Sequence, residues 1–121
     1  MKGGPPRVTI TKYNNLVLNS TAIGEYLQQI KYVHLLWDAD QQRVGIKPTK
    51  QDQAAYQLNL SARGNVATVS GISFLRHIGW KLNSETKSFE AEWNDKEGLL
   101  EFRIGEVGKK PKRFPRVSDE D

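Results

Sequence analysis

The chain opens on alternation. Val8-Thr-Ile-Thr sets apolar against polar positions in a β-branched run, the pattern of a half-buried strand. Asn14-Asn15 then supplies a pair suited to positive φ in a tight turn, and Leu16-Val-Leu returns as a second strand, which predicts a hairpin. The period changes after that. Ile23, Tyr26, Leu27 and Ile30 fall on one helical face, with Asn19 or Ser20 placed to cap it. Tyr32-Val33 and Leu35 to Trp37 read as a strand, Asp38 to Gln42 as a polar turn, and Arg43 to Lys47 as the returning strand, closed by Pro48.

The same order recurs in the second half. Leu58-Asn-Leu-Ser restarts it, Gly64-Asn65 turns, and Val66-Ala-Thr-Val returns. Ser70 stands in the capping role of Ser20, Ile72, Phe74, Leu75 and Ile78 supply a buried face, and Gly79 ends the helix. Phe89 to Trp93 alternates, and Leu99 to Ile104 closes the last hairpin. Trp37-Asp38 and Trp93-Asn94 lie fifty-six positions apart, at the ends of equivalent strands, so both indoles are expected to pack in or against the core. A unit of about fifty residues said twice predicts one object sharing a core rather than two independent domains. The expected fold is mostly β (α+β), with two ββαββ repeats forming one pseudo-two-fold β-barrel or sandwich and two short helices. The expected organisation is a flexible leader over 1–7, one domain over 8–106 and a disordered charged tail over 107–121. Within the domain the repeats span 8–48 and 57–104, joined by a linker at 49–56.

Composition narrows the function classes. At 121 residues, with 37% hydrophobic and 26% charged content, the chain suits one soluble globular domain. No apolar run approaches the roughly 18 residues of a membrane span, and Met1-Lys-Gly-Gly-Pro-Pro lacks a signal peptide's apolar stretch, so no membrane partner and a cytoplasmic location are expected. The absence of cysteine removes disulfides, thiolate zinc sites and cysteine nucleophiles together. Net charge is +4, unevenly spread: residues 1–50 carry seven Lys/Arg against three Asp/Glu, residues 51–106 six against eight, and residues 107–121 five against three. A basic bias of that size fits attraction to a polyanion.

Catalytic patterns are weak. His34 sits in a predicted strand and His77 in the second helix, neither with a partner at ligand spacing. Glu90 and Glu92 share the polar face of one strand, Asp38 and Asp40 occupy a turn, and no glycine-rich phosphate loop follows a strand into a helix. The chain therefore reads as a non-enzyme without metal or cofactor.

The stretch Val8-Thr-Ile-Thr-Lys-Tyr-Asn-Asn-Leu-Val-Leu-Asn-Ser-Thr-Ala-Ile-Gly-Glu-Tyr-Leu resembles the opening strand, turn, apolar strand and helix start of the AbrB/MazE type of swapped-hairpin DNA-binding family. Leu60-Ser-Ala-Arg-Gly-Asn-Val-Ala-Thr-Val-Ser is similar to the turn of MazE-like antitoxins. The resemblance spans 8–104 as a pattern, and it implies two interlocked units in one chain, a covalent pseudodimer whose first loops present basic residues to DNA. It departs from the family at the helix starts, where Asn19-Ser20 and Ser70-Gly71 replace the usual proline, and in its scarcity of arginine. The residues that correspond to DNA-facing positions are Lys12 and Arg63 beside the two turns, with Asn14, Asn15 and Asn65, and Arg7 and Lys2 reinforcing that surface.

Three functions compete for this architecture. The first is double-stranded DNA binding with a regulatory role, the turn cations contacting phosphates and the asparagines reading bases. The second is single-strand binding of the kind found in Whirly-type proteins, with Tyr13, Tyr32, Trp80 or Phe114 stacking on bases. The third is a protein-interaction module that docks its tail, residues 107–121, on a partner. The open edges of its hairpins also allow a homodimer.

Overall fold

The computed structural model describes residues 4–104. The tail 107–121, with Phe114, and Lys2 of the leader lie outside the described residues. Among the described residues the fold is mostly β: ten short strands in two five-stranded antiparallel sheets, with two short helices. In chain order these are β1 (Arg7–Ile10), β2 (Asn15–Leu18), α1 (Ser20–Tyr26), β3 (Tyr32–Asp38), β4 (Arg43–Thr49), β5 (Tyr56–Gln57), β6 (Asn59–Leu60), β7 (Ala67–Ser70), α2 (Ile72–His77), β8 (Lys87–Glu90), β9 (Glu92–Asn94) and β10 (Leu99–Arg103). The first sheet runs β6-β7-β2-β1-β8 and the second β5-β3-β4-β10-β9.

Two segments belong to both sheets. β5 pairs with β3 in the second sheet, and after Leu58 the same stretch continues as β6 against β7 in the first. β8 pairs with β1 in the first sheet, and after Ala91 the chain continues as β9 against β10 in the second. The alternating stretch 89–93 is thus one strand in sequence and two in space. Leu58 and Ala91, where the two stretches change sheet, are both buried, and the Ala91 N–H donates to the Pro6 carbonyl at 2.9 Å. The expected flexible leader is also engaged near its end: Arg7 begins β1, and the Pro5 carbonyl accepts from Asn19 Nδ2 at 3.1 Å.

Alternation in the sequence becomes inside and outside. Val8, Ile10, Leu16, Leu18, Ala67 and Val69 point inward from the first sheet, and Val33, Val44, Ile46, Leu100 and Phe102 from the second, into one apolar cluster. Each large aliphatic side chain buried in this way contributes about 1.5–3 kcal/mol. Trp37 and Trp93 are half-buried and pack against that cluster; Tyr26 of α1 lies flat on Trp93, with centroids 5.0 Å apart and planes at 4°.

The helices start differently. Asn19 caps α1, its Oδ1 accepting from the Ala22 N–H at 3.0 Å and from the Arg7 N–H at 3.0 Å, so one amide both starts the helix and fixes the start of β1. Ser70 does not cap α2 as expected from Ser20. The N-cap is Gly71, without a side-chain bond, because a Cβ there would come within 2.4 Å of Leu16 Cδ1. Packing of the fully buried Leu16 excludes any capping side chain at that position.

Candidate nucleic-acid interface

The two hairpin turns are built alike. In the first, the Thr11 N–H donates to the Asn15 carbonyl and the Asn14 N–H to the Thr11 carbonyl, both at 2.9 Å, with Asn14 at φ 68°. In the second, the Ser61 N–H donates to the Val66 carbonyl and the Gly64 N–H to the Ser61 carbonyl, both at 2.8 Å, with Gly64 at φ 72°. Positive φ favours asparagine and glycine, which is why these residues mark the turns in the sequence. The tips carry exposed Lys12 and Tyr13 in one case and exposed Arg63 in the other. Tyr13 is 72% exposed, and Lys12 Nζ lies 5.4 Å from its ring centroid.

Antiparallel pairing separates the turns. β2 and β7 pair with Asn15 opposite Ser70 and Leu18 opposite Ala67, so the turn before β2 and the turn before β7 lie at opposite ends of the pair. The six expected residues therefore form two groups. Lys12, Asn14 and Asn15 lie at one end, where Lys87 joins them by pairing with Ile10. Arg63 and Asn65 lie at the other, where Arg7 starts a strand whose next residue, Val8, faces Leu18. Three residue steps of strand and the two overhanging turns put the tips about 20 Å apart.

The polar groups at these ends divide into structural and free ones. Asn14 is 7% exposed, and its side chain is committed to the loop before β8: Nδ2 donates to Asn83 Oδ1 at 3.0 Å and Oδ1 accepts from the Asn83 N–H at 2.9 Å. The Lys12 N–H donates to Thr86 Oγ1 of the same loop at 3.1 Å, and the Asn14 carbonyl accepts from Gly71 at 3.3 Å. Asn65 accepts from Ser61 Oγ at 3.1 Å within its own turn. Asn15 is half-buried, on the outer side of β2 between inward-pointing neighbours. Asn83 and Lys87 carry no short-range signal of this role; Asn83 stands sixty-nine residues from its partner.

Between the two ends the outer face of the first sheet is uncharged. Ser88, Thr9, Val17, Thr68 and Asn59 form one cross-strand row, Thr9 and Ser88 sharing a hydroxyl contact of 3.2 Å. Its nearest carboxylate is Glu90, opposite Arg7. The outer face of the second sheet is different. Arg43 bridges Asp38 and Glu101, each at 3.0 Å, and beside it a hollow of about 280 Å³ is lined by Glu90, Glu92, Glu101 and Arg103. The two sheets thus present surfaces of different electrostatic character.

The histidines remain apart. His34 Nε2 lies 2.9 Å from Asp52 Oδ2 and ties the segment between β4 and β5 to β3, whereas His77 is exposed on α2. Desolvation pushes the Asp52 pKa up, but hydrogen bonds from the Ala54 N–H and the His34 ring, the His34 charge, and the bond from Ala55 outweigh it and leave the carboxyl below its ordinary value. Among the described residues no group of three or more His, Asp or Glu side chains is placed to hold a metal ion, and no helix is long and apolar enough to cross a membrane. Comparison with protein-family models, with curated proteins and with solved structures finds no match to this chain.

Proposed function

We propose that this protein binds double-stranded DNA through the outer face of its first sheet, as a covalent pseudodimer of two ββαββ units closed into a barrel, with a role in regulating transcription. The single observation that carries this reading is the uncharged row on the outer face with an exposed turn cation beyond each end, Lys12 at one and Arg63 at the other, and with Arg7 at the start of β1 on the Arg63 side. A spacing of about 20 Å exceeds the ~12 Å major groove, so each end meets a different phosphate backbone. The uncharged row, with hydroxyl and amide groups on either side of Val17, then lies over the groove between them.

Register supports the duplication. When Asn15 is equated with Ala67 and Leu18 with Ser70, the β2/β7 pairing maps onto itself. Equating Val44 with Leu100 and Ile46 with Phe102 does the same for β4 and β10. The shared segments β5-β6 and β8-β9 join the two sheets at both margins, which is the connectivity of a closed barrel. The AbrB/MazE-type resemblance, in which paired units present basic loops to DNA, fits this placement. Asn14 is assigned to architecture, and Asn15 and Asn65 are left as the amides nearest the contact.

The decisive measurement is a competition titration of duplex against single-stranded oligonucleotide across a range of salt. Duplex preference with a log–log salt slope is expected, and Lys12→Ala with Arg63→Ala should each lower that slope by about 0.9 while leaving the fold intact. Equal slopes in wild type and double variant would remove these two residues from the interface. Preference for the single strand, with quenching of aromatic fluorescence, would favour the stacking alternative.

A further inference from the structure

We propose that a groove beside Trp37 receives Phe114 from this chain's own C-terminal segment. The inference rests on the duplicated unit proposed above. The groove, about 480 Å³, lies between α2 and β3 and is lined by Leu35, Trp37, Tyr56, Phe74 and His77. In the other half, the equivalent indole, Trp93, is covered by the ring of Tyr26. The residue that matches Tyr26 is Ile78, just past the end of α2, and among the described residues no ring stacks on Trp37. Leu36, on the same strand, is 41% exposed. β5 pairs only with Tyr32 and Val33, so from His34 to Asp38 this edge of β3 has no neighbouring strand among the described residues.

The tether reaches it. The Ile104 N–H donates to the Gln42 carbonyl at 2.9 Å, so the chain leaves the second sheet at the β3–β4 turn. Trp37 pairs with Val44, which pairs with Phe102, a separation of two strand spacings or about 10 Å. The ten residues from Ile104 to Phe114 extend to at most about 33–36 Å. Phe114 is the one aromatic residue in 105–121. A tether of this length gives an effective concentration in the ~mM range, enough for a weak aromatic contact to be occupied. Charge agrees at the point of departure: Lys112, Arg113 and Arg116 flank Phe114, and exposed Asp40 occupies the β3–β4 turn.

Indole N–H resonances of the full-length chain test this. Phe114→Ala should shift the Trp37 indole signal and the backbone amides of Leu36, Ser73 and His77, leaving Trp93 unmoved, with the wild-type pattern independent of protein concentration. Phe114→Tyr should keep the wild-type pattern. An unshifted Trp37 signal in the alanine variant overturns the proposal, and so does a wild-type pattern that changes on dilution, since that marks docking between molecules. The readout involves no nucleic acid, so a silent Trp37 leaves the duplex reading standing, and a failed duplex titration leaves this one standing.

Discussion

Asn14 is where the sequence and the structure assign different work to one residue, and substituting it separates the physical contributions. Asn14 holds φ 68° and makes two side-chain hydrogen bonds to Asn83. In Asn14→Ala both bonds are lost, at about 0.5–1.5 kcal/mol each, and an alanine is forced into the left-handed region, at about 1–2 kcal/mol. The expected loss is about 2–5 kcal/mol, the lower part of the range applying because Asn83 is exposed and water can replace its partner. Asn14→Gly loses the same bonds without the φ penalty, offset in part by the entropy of an added glycine, and should be less destabilised than the alanine variant by roughly 1 kcal/mol. Asn14→Asp keeps the acceptor for the Asn83 N–H and loses only the donor. The order of stability should therefore be wild type, Asp, Gly, Ala. Urea unfolding at constant m-value reads it directly, and a domain near this size melts about 4–8 °C lower per kcal/mol lost. An alanine variant within about 0.5 kcal/mol of wild type, or a glycine variant less stable than the alanine one, would refute the assignment of Asn14 to the turn and its clamp.

Two further outcomes follow from packing and protonation. Gly71→Ala places a methyl 2.4 Å from Leu16 Cδ1 and should cost about 1–3 kcal/mol; Leu16→Ala should then cost less in that background than in wild type, and strictly additive losses in a double-mutant cycle would exclude the clash. The Asp52 carboxyl is held below its ordinary value of 3.8 when folded, so the stability it adds is fully present above that value and disappears as pH falls through the lowered one. Thermal melts of wild type and Asp52→Asn should accordingly differ at pH 7 and converge only in acid below the lowered value; a gap that persists once the carboxyl is protonated would show that the His34–Asp52 contact is not its source.

Much of the element order was legible because periodicity is local. The hairpins, the two helices, the Gly79 stop and the turn asparagines each declare themselves within a few residues, and the helix cap at Asn19 was one of two adjacent candidates. The breaks at Leu58 and Ala91 were not legible. A strand that passes from one sheet to another keeps its apolar alternation, so Phe89 to Trp93 reads as unbroken. The α2 cap also depended on distance: Ser70 has the right chemistry, but Leu16, from another strand, decides that Gly71 must stand at the helix start.

The candidate interface shows the same division. The family resemblance of the two turn segments singled out Lys12, Arg63 and their neighbouring asparagines, and the turns themselves were legible because turn preference is a property of short segments. Their grouping is a property of the β2/β7 register, which sends the two turns to opposite ends of one face and brings Arg7 to the second turn and Lys87 to the first. Only the tertiary structure decided that Asn14 faces Asn83 rather than solvent, and that Arg43 meets Asp38 and Glu101 on the second sheet while an uncharged row crosses the middle of the first. Side-chain alternation and turn preference act over a few residues and are written in the chain itself. Which turn meets which loop depends on contacts between segments as many as eighty-five residues apart, and those exist only once the sheets have paired.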